Sequence, residues 1–211
     1  NSVTLIAAFF GAGGGSDIDF ANDTSLGAGT SFGVRTGNLD IRGNVFRTTN
    51  GGNSWTLLTG ARAAQNVVTY RGVAIRNDGT IFVAGGNGFL GRIPPGANTI
   101  ERIVVDPNLV SLDTLNVQAL VFNDIEFARH DDRIGWLIGA RQIGVVGGTP
   151  QFQGLIYMTR DGGQTWTRQG IRGAPGFGGE FPQLNRLSVL SSTQARIAGD
   201  AGTVLTYNPP R

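Results

Sequence analysis

The stretch that decides the fold occurs twice in this chain, as Thr48-Thr49-Asn50-Gly51-Gly52-Asn53-Ser54-Trp55 and as Thr159-Arg160-Asp161-Gly162-Gly163-Gln164-Thr165-Trp166. Both copies fit the pattern S/T-x-D-x-G-x-T/S-W, with Asn50 in place of the acid in the first copy. A short Asp or Asn side chain can accept hydrogen bonds from backbone amides of its own turn, while glycine supplies a positive φ. The tryptophan begins the next strand and packs inward. Each copy therefore predicts a tight turn that leads into a strand.

The composition indicates one globular domain, 1–211, made of many short strands. The chain has 211 residues, of which 40% are hydrophobic and 15% are charged, so it is long and apolar enough for a real core. Its 34 glycines are roughly twice the usual share and lie between short runs of Val, Ile, Phe and Trp. That pattern favours many turns between short strands, and no helical periodicity extends over three turns. The predicted fold class is all-β.

Charge and residue usage exclude several classes of function. The net charge is only +2 and the arginines are scattered, which argues against a nucleic-acid surface. Cysteine is absent, so disulfides, thiolate zinc sites and cysteine nucleophiles are excluded. The longest apolar run, Val3–Phe10, is too short to span a bilayer. No glycine-rich phosphate loop leads from a strand into a helix. We expect no cofactor and no resident metal. A chain that begins at Asn1 has lost a leader or is an internal piece of a longer one.

Four groups of strands recur along the chain, in the approximate ranges 11–62, 63–110, 111–172 and 173–211. The first and third groups carry the eight-residue motif and a long excursion between their second and third strands, and their third strands are predicted to begin after Gly43 and Gly154. These glycines are 111 positions apart, as are Thr48 and Thr159. We infer a tandem duplication of a two-group unit. The predicted first strands are Asp17–Phe20, Gly72–Ile75, Asp124–Phe127 and Arg186–Val189.

The two motifs resemble the Asp-box of BNR-repeat β-propellers, a group that includes sialidases, sortilin-type receptors and photosystem II assembly factors of the Ycf48 type. The resemblance implies a β-propeller of four blade-like units, arranged as two copies of a two-blade unit. Either residues 1–10 pair with the last blade and close the ring, or the chain is part of a larger propeller. The box residues, to which the resemblance gives a structural role, are Thr48, Asn50, Gly52, Trp55, Thr159, Asp161, Gly163 and Trp166.

Two acidic pairs lie on predicted first strands, which line the central channel of a propeller. Because side chains alternate along a strand, both members of each pair share one face. Four converging carboxylates would suit an oxygen-lined cation or polyol site at the channel mouth. The favoured interpretation is a hydrated, salt-bridged channel without a ligand. The candidate residues are Asp17, Asp19, Asp124, Glu126, Arg71 and Arg186.

Catalytic groups are not evident. Arg92-Ile93-Pro94 resembles the arginine motif of sialidases, but it lies in a third strand, and the three glutamates and three tyrosines show no nucleophile pairing. His130 is the only histidine. It falls in a predicted polar turn, whose counterpart Asn77–Thr80 has no histidine. We predict that the protein is not an enzyme.

The excursions Thr30–Arg42 and Ala140–Gln153, together with the glycine-rich segment Arg172–Phe181, are the best candidates for a contact surface. The predicted interface residues are Phe32, Arg35, Arg141, Phe152 and Phe177.

These observations favour a non-catalytic β-propeller module that makes protein–protein or glycan contacts, outside the cytoplasm or within a large assembly. The expected partner is a protein, either another chain or further copies of this one, with a glycan as the other class of ligand. Nucleic acid is not expected. Two alternatives remain open: a structural subunit of a virion or other particle surface, and a sialidase-like protein that binds or cleaves glycans.

Overall fold

The computed structural model describes residues 15–21, 26–35, 38–61, 69–110, 120–170 and 182–207, and these residues are mostly β-strand. They also contain one short helix, α1 (Pro107–Val110), and 3-10 turns at Thr59–Ala61 and Asp200–Gly202. The strands are β1 (Gly15–Phe20), β2 (Gly27–Arg35), β3 (Asn38–Thr48), β4 (Thr56–Leu57), β5 (Tyr70–Ile75), β6 (Ile81–Gly85), β7 (Phe89–Ile93), β8 (Glu101–Ile103), β9 (Leu120–Ala128), β10 (Asp131–Val146), β11 (Thr149–Thr159), β12 (Thr167–Arg168), β13 (Leu184–Ser191), β14 (Gln194–Gly199) and β15 (Val204–Tyr207).

In the described residues the strands form four sheets, and in each sheet the strands follow chain order. The first sheet is β1–β4, the second β5–β8, the third β9–β12 and the fourth β13–β15. The pairings of the first, third and fourth sheets are antiparallel. A short up-and-down sheet of this kind is the blade of a β-propeller, so the chain is an all-β protein with four blades. Each sheet lies within one of the four predicted ranges, and the four predicted first strands are confirmed as parts of β1, β5, β9 and β13.

The expectation that 30–42 and 140–153 are insertions between regular strands is wrong. β2 continues to Arg35 and β3 begins at Asn38, before Gly43. β10 continues to Val146 and β11 begins at Thr149, before Gly154. The physical reason is turn chemistry: Gly147 and Gly148 have φ of 57° and 82°, and two positive φ values give the two-residue turn whose twist matches a hairpin. Residues 1–10 and the segment Arg172–Phe181 with Phe177 lie outside the described residues.

Contacts divide the chain into two compact units. The first includes the first sheet and most of the second, up to Val83 and again at Gly91–Arg102. The second includes Ala84–Leu90, the third sheet and the fourth sheet. The extent of the predicted single domain, 1–211, stays a prediction.

Tyr70, at the start of β5, is one of the largest fully buried side chains of the first unit. Its ring lies against Gly43, where an added Cβ would be 2.5 Å from the ring. Its hydroxyl donates to the Ala61 carbonyl at 3.0 Å, and burial raises the pKa of Tyr70 to about 12. A side chain larger than glycine at residue 43 would therefore displace the tyrosine.

The core of the second unit lies between the third and fourth sheets. Its buried residues are Ala128, Ile134, Trp136, Ile138, Ile156, Met158, Leu184, Val189, Ala195 and Ile197. Burying each large aliphatic side chain contributes about 1.5–3 kcal/mol. Leu184 begins β13 as Tyr70 begins β5, and it lies against Gly154, which is 111 positions after Gly43. The two units thus repeat a glycine contact at the same place.

No helix within the described ranges has the length and apolar character needed to cross a membrane.

Candidate functional site

The first acidic pair contacts the backbone of the neighbouring sheet. The Val73 N–H donates to Asp17 Oδ2 at 2.8 Å, and the Ile75 N–H donates to Asp19 Oδ2 at 2.9 Å. β5 is the edge strand of its sheet, so every second N–H points away from β6 and has no strand to pair with. The two carboxylates satisfy these amides, and charge-assisted bonds of this kind are stronger than neutral ones.

The second acidic pair repeats this arrangement in the second unit. The Leu187 N–H donates to Asp124 Oδ2 at 2.8 Å, and the Val189 N–H donates to Glu126 Oε2 at 3.0 Å. Asp124 also accepts from the Ile125 N–H with its other oxygen. We call each acidic pair, together with the two backbone N–H groups that donate to it, a carboxylate clamp. The two clamps tie β1 to β5 and β9 to β13.

The clamps give these acids a structural role inside each unit. The convergence of all four at one channel mouth joins residues of the two units and stays a prediction. Among the described residues, no three His, Asp or Glu side chains are grouped so as to hold a metal ion. The side chains of Arg71 and Arg186 are exposed on β5 and β13, next to the strand positions that receive the clamps.

The first eight-residue motif forms a turn held by local hydrogen bonds. Thr48 Oγ1 accepts from the Gly52 N–H at 3.0 Å and donates to Asn50 Oδ1 at 2.9 Å. The Ser54 N–H donates to Asn50 Oδ1 at 2.9 Å. Gly51 and Gly52 have φ of 66° and 87°, a region that side chains rarely adopt. Trp55 Nε1 donates to the Gly52 carbonyl at 3.1 Å.

The second motif forms the same turn with a charged centre. Thr159 Oγ1 accepts from the Gly163 N–H at 2.8 Å and donates to Asp161 Oδ1 at 2.8 Å. Asp161 also accepts from the Thr165 N–H at 2.9 Å and from the Thr165 hydroxyl. Gly162 and Gly163 have φ of 71° and 86°. Trp166 differs from Trp55, because its buried Nε1 has no hydrogen-bond partner among the described residues.

Asp161 is held in its charged form. Partial burial raises the pKa of Asp161, but hydrogen bonds from Thr165, Thr159 and Gln164 lower it by more, so the net pKa lies below the ordinary value. These three partners all belong to the turn itself.

Both turns deliver their tryptophan to a phenylalanine of the first strand of the same sheet. The rings of Phe20 and Trp55 are edge-to-face with centroids 5.9 Å apart, and those of Phe127 and Trp166 are 6.2 Å apart. The turns therefore fix the outer strand of the first and third sheets onto the inner strand. Thr48, Gly52, Thr159 and Gly163 all serve this geometry.

The hairpin of β10 and β11 extends past the described parts of its neighbouring strands. β9 pairs with β10 only as far as Arg141, and β12 pairs with β11 only at Tyr157 and Met158. Residues 142–151, which we call the β10–β11 ribbon, have no other strand partner within the described part of the chain. At its base, Arg141 Nε donates to Gln153 Oε1 at 2.6 Å, and Phe152 is half-buried.

The ribbon is apolar, exposed and uncharged. Ile143, Val145 and Val146 are among the exposed large hydrophobic residues, and Val146 is 69% exposed. No charged residue occurs between Arg141 and Arg160. Ile143 lies at a register shift between Gln142 and Gly144 and has no register partner on β11. Ile143 is the ribbon residue that the sequence reasoning missed.

The remaining candidates are distributed over the fold. Phe32 and Arg35 lie in β2, in register with Gly43 and Asn38. Arg92 pairs with Glu101 at 2.7 Å. His130 is exposed in the turn between β9 and β10. The described residues thus place no acid, base and nucleophile together around Arg92 or His130.

Comparison with known proteins supports the fold and no more. No protein-family model and no curated protein matches the chain. A glycoside hydrolase family 74 xyloglucanase from Xanthomonas campestris is similar in structure, with a TM-score of 0.57 and 17% sequence identity over 92% of this chain. The chain spans only 24% of that enzyme.

Weaker likenesses include YCF48 bound to a D1 peptide, with a TM-score of 0.37, 12% identity and coverage of 100% of this chain and 81% of that one. The WD40 β-propeller domain of Doa1 has a TM-score of 0.44 and 9% identity, covering 93% of this chain and 66% of that one.

Proposed function

We propose that this chain is a non-catalytic β-propeller module that binds another protein and works as part of a larger assembly. The observation that carries the proposal is the β10–β11 ribbon. It projects beyond its sheet, exposes Val145 and Val146 on opposite faces, and has free strand edges in the described structure.

An exposed strand edge without charge is a ready surface for another strand. Soluble proteins usually protect such edges with charged side chains, proline or short strands. In the ribbon only Pro150 on β11 has this effect, because it lacks an N–H, whereas Gln142–Val146 on β10 contain no such residue. Strand addition to the β10 edge, with apolar contacts to the valines, would satisfy the backbone and bury the exposed side chains.

The absence of a catalytic role is supported by what the acids do. Each of the four carboxylates accepts a backbone amide of a neighbouring strand, and a carboxylate engaged in this way is a poor general base. Arg92 is occupied by Glu101. These contacts favour a structural role for the residues that a sialidase-like protein would use.

The two turns are proposed to be Asp-boxes, with a stapling role at the outer strand. An extracytoplasmic location follows from that resemblance alone and belongs to the same proposal. Fractionation of cells that produce the native protein tests the location, and recovery in the cytoplasmic fraction alone would refute it.

The native mass of the protein, isolated from its source with a small tag, tests the binding role. We expect the wild type in a stoichiometric assembly well above the 22.2 kDa of one chain. Val146→Glu on the ribbon should release a folded free chain, because a buried unpaired charge is costly at an interface. The matched control is Val104→Glu, another exposed valine that is not part of the ribbon.

Each outcome separates the alternatives. A wild type that is always a free single chain would contradict the proposal, and a glycan-array hit would then favour the glycan-binding alternative. An assembly that survives Val146→Glu would contradict the role of the ribbon. Incorporation as a regular lattice subunit would favour the particle-surface alternative.

A further inference from the structure

The fourth sheet has one face that nothing in the described structure covers. Its exposed residues come from alternate positions of three neighbouring strands, and the register aligns them in two rows. One row is Arg186, Ala198 and Val204, and the other is Ser188, Arg196 and Thr206. We call these six residues the open face. Val204 is 71% exposed, and Leu190 beside the rows is also exposed.

The opposite face of the same sheet is packed. Val189, Ala195 and Ile197 belong to the core of the second unit, and Leu187, Leu205 and Tyr207 pack against it. Other sheets bury both faces, since every residue of β6 and every residue from Ile134 to Ala140 in β10 is buried. The fourth sheet is therefore packed as a blade on one side only.

The second clamp shows in which direction the side chains of β13 project. Asp124 and Glu126 project from β9 toward β13 and meet the amides of Leu187 and Val189. On β13 the side chains that project in the continuing direction are Arg186 and Ser188, because neighbours along a strand alternate in direction. Arg186 and Ser188 correspond in their strand to Asp124 and Glu126 of β9. Arg186 is a cation that can only donate hydrogen bonds, where β9 has a carboxylate that accepts them.

Arg186 and Arg196 have no carboxylate partner within the described residues. The two arginines are diagonal neighbours on adjacent strands, a separation of about 7–8 Å that long side chains can bridge. A guanidinium presents a fork of N–H donors that matches a carboxylate. Any neighbour that covers this face must supply acceptors opposite the two arginines.

We propose that the open face binds the acidic β-sheet surface of a partner protein, with carboxylates opposite Arg186 and Arg196 and apolar side chains opposite Val204 and Leu190. A mixture of arginine and apolar side chains is typical of protein interfaces. Two arginines on a flat, partly apolar face fit a protein better than a polyanion, which needs a longer basic track. The surface extends the proposed binding role to residues that the ribbon does not use.

Designed hairpin peptides test this surface. One hairpin carries two Glu residues and two Val residues on one face, and its matched control carries Gln in place of Glu. We expect the wild type to bind the Glu hairpin at least about tenfold more tightly at low salt, with a smaller ratio at high salt. Arg186→Gln with Arg196→Gln should abolish the preference. Arg196→Gln alone should reduce it, whereas Arg102→Gln, an exposed arginine on β8, should not.

Four results would overturn the proposal. The first is equal affinity for the two hairpins, and the second is a preference that survives the double variant with unchanged thermal stability. The third is tighter binding of a sulfated hexasaccharide through the same arginines, which would indicate a polyanion site. The fourth is a wild-type dimer that the double variant converts to a monomer, which would make a second copy the occupant. Val146→Glu should leave hairpin binding unchanged. The proposal for the ribbon and the proposal for the open face can therefore be refuted independently of each other.

Discussion

The first and second units hold their sheets together with the same contacts made from different residues. Asp17 and Asp19 clamp β5, while Asp124 and the longer Glu126 clamp β13, and all four bonds lie between 2.8 and 3.0 Å. The eight-residue turns likewise differ at the centre, because Asn50 is neutral and Asp161 is charged. The geometry is kept while charge and side-chain length change. The clamps keep their charge and change only in side-chain length, whereas the turns change in charge. In both cases the contacts tie neighbouring strands or a turn together, which is a role in the packing of the blades.

One acid is more buried than the other three. Asp124 is only 8% exposed, whereas Asp17, Asp19 and Glu126 are half-buried. A hydrogen bond removed from a buried site leaves an unsatisfied group that water cannot reach. Loss of Asp124 should consequently cost more than loss of any of the other three acids, which makes the second clamp the more sensitive pair.

The largest expected effect comes from removing a clamp. Asp124→Ala with Glu126→Ala leaves two N–H groups of β13 without acceptors and should lower the free energy of unfolding by about 2–4 kcal/mol. Asp17→Ala with Asp19→Ala should cost less, because water can replace the lost acceptors. Urea unfolding measures both. The control pair, Asp124→Asn with Glu126→Gln, keeps an oxygen acceptor and should lose less than the alanine pair. Equal, small losses in both units would show that the clamps do not stabilise the blades.

A smaller effect is expected where glycine makes room for an aromatic ring. A Cβ at Gly135 would lie 2.6 Å from the Phe127 ring, and one at Gly27 would lie 2.7 Å from the Phe20 ring. Gly135→Ala should cost about 1–3 kcal/mol, because Phe127 is buried and cannot move aside. Gly27→Ala should cost less, since Phe20 is half-buried. Gly144→Ala is the control, with nothing within 4 Å of its Cβ. Thermal unfolding of the three variants checks the order.

The turns should respond equally to loss of the threonine hydroxyl. Thr48 and Thr159 are both buried and accept from a glycine N–H two residues after the central Asn or Asp. Thr48→Ala and Thr159→Ala should each cost about 1–2 kcal/mol, as for a lost cap. Thr→Ser at the same positions keeps the hydroxyl and should restore most of the loss. A clear difference between the two alanine variants would show that the charge of Asp161 changes the stability contributed by the threonine hydroxyl.

The smallest expected effect is a difference between the two turns in how their contribution to stability changes at low pH. The folded-state pKa of Asp161 is lowered, so its contribution is present above the unfolded pKa of about 3.9 and is lost as the pH falls through the folded value. The stability difference between wild type and Asp161→Asn should be constant near neutral pH and shrink below about pH 4. Asn50→Asp should introduce a second acid-sensitive contribution. Unfolding curves between pH 6 and pH 3 test this, and a difference that stays constant throughout would contradict it.

The sequence predicts those parts of the structure whose causes are local. The turns were recognisable because Thr48, Asn50 and Ser54 contact one another within a few residues. The start of each sheet was recognisable from period-two alternation, as in Asp17–Phe20. The sequence does not predict the ribbon, because Gln142–Val146 contain a glycine and no clear alternation, and the partner strand is chosen by the Gly147-Gly148 turn. Glycine-rich strands and glycine-rich loops look alike until the pairing is known.

The clamps had no sequence signal. The recipients of Asp17 and Asp124 are backbone amides 56 and 63 residues away, and an amide looks the same in every residue but proline. The open face, in contrast, does have a signal in the sequence. Gln194-Ala195-Arg196-Ile197 alternates polar and apolar residues, which is typical of a strand with only one buried face.

The clamps place no constraint on the side chains of β5 and β13, the strands whose N–H groups donate to the carboxylates. β5 receives the first clamp at Val73 and Ile75, and β13 receives the second at Leu187 and Val189. Because the bonded atoms belong to the main chain, any amino acid with an N–H keeps the contact, and only proline removes it. The strands that carry the accepting carboxylates, β1 and β9, have no such freedom, since each needs acids two positions apart. After a duplication, sequence drift in the blades would therefore be one-sided: the receiving blade can diverge in the side chains that pack its core while the giving blade remains tied to its carboxylates.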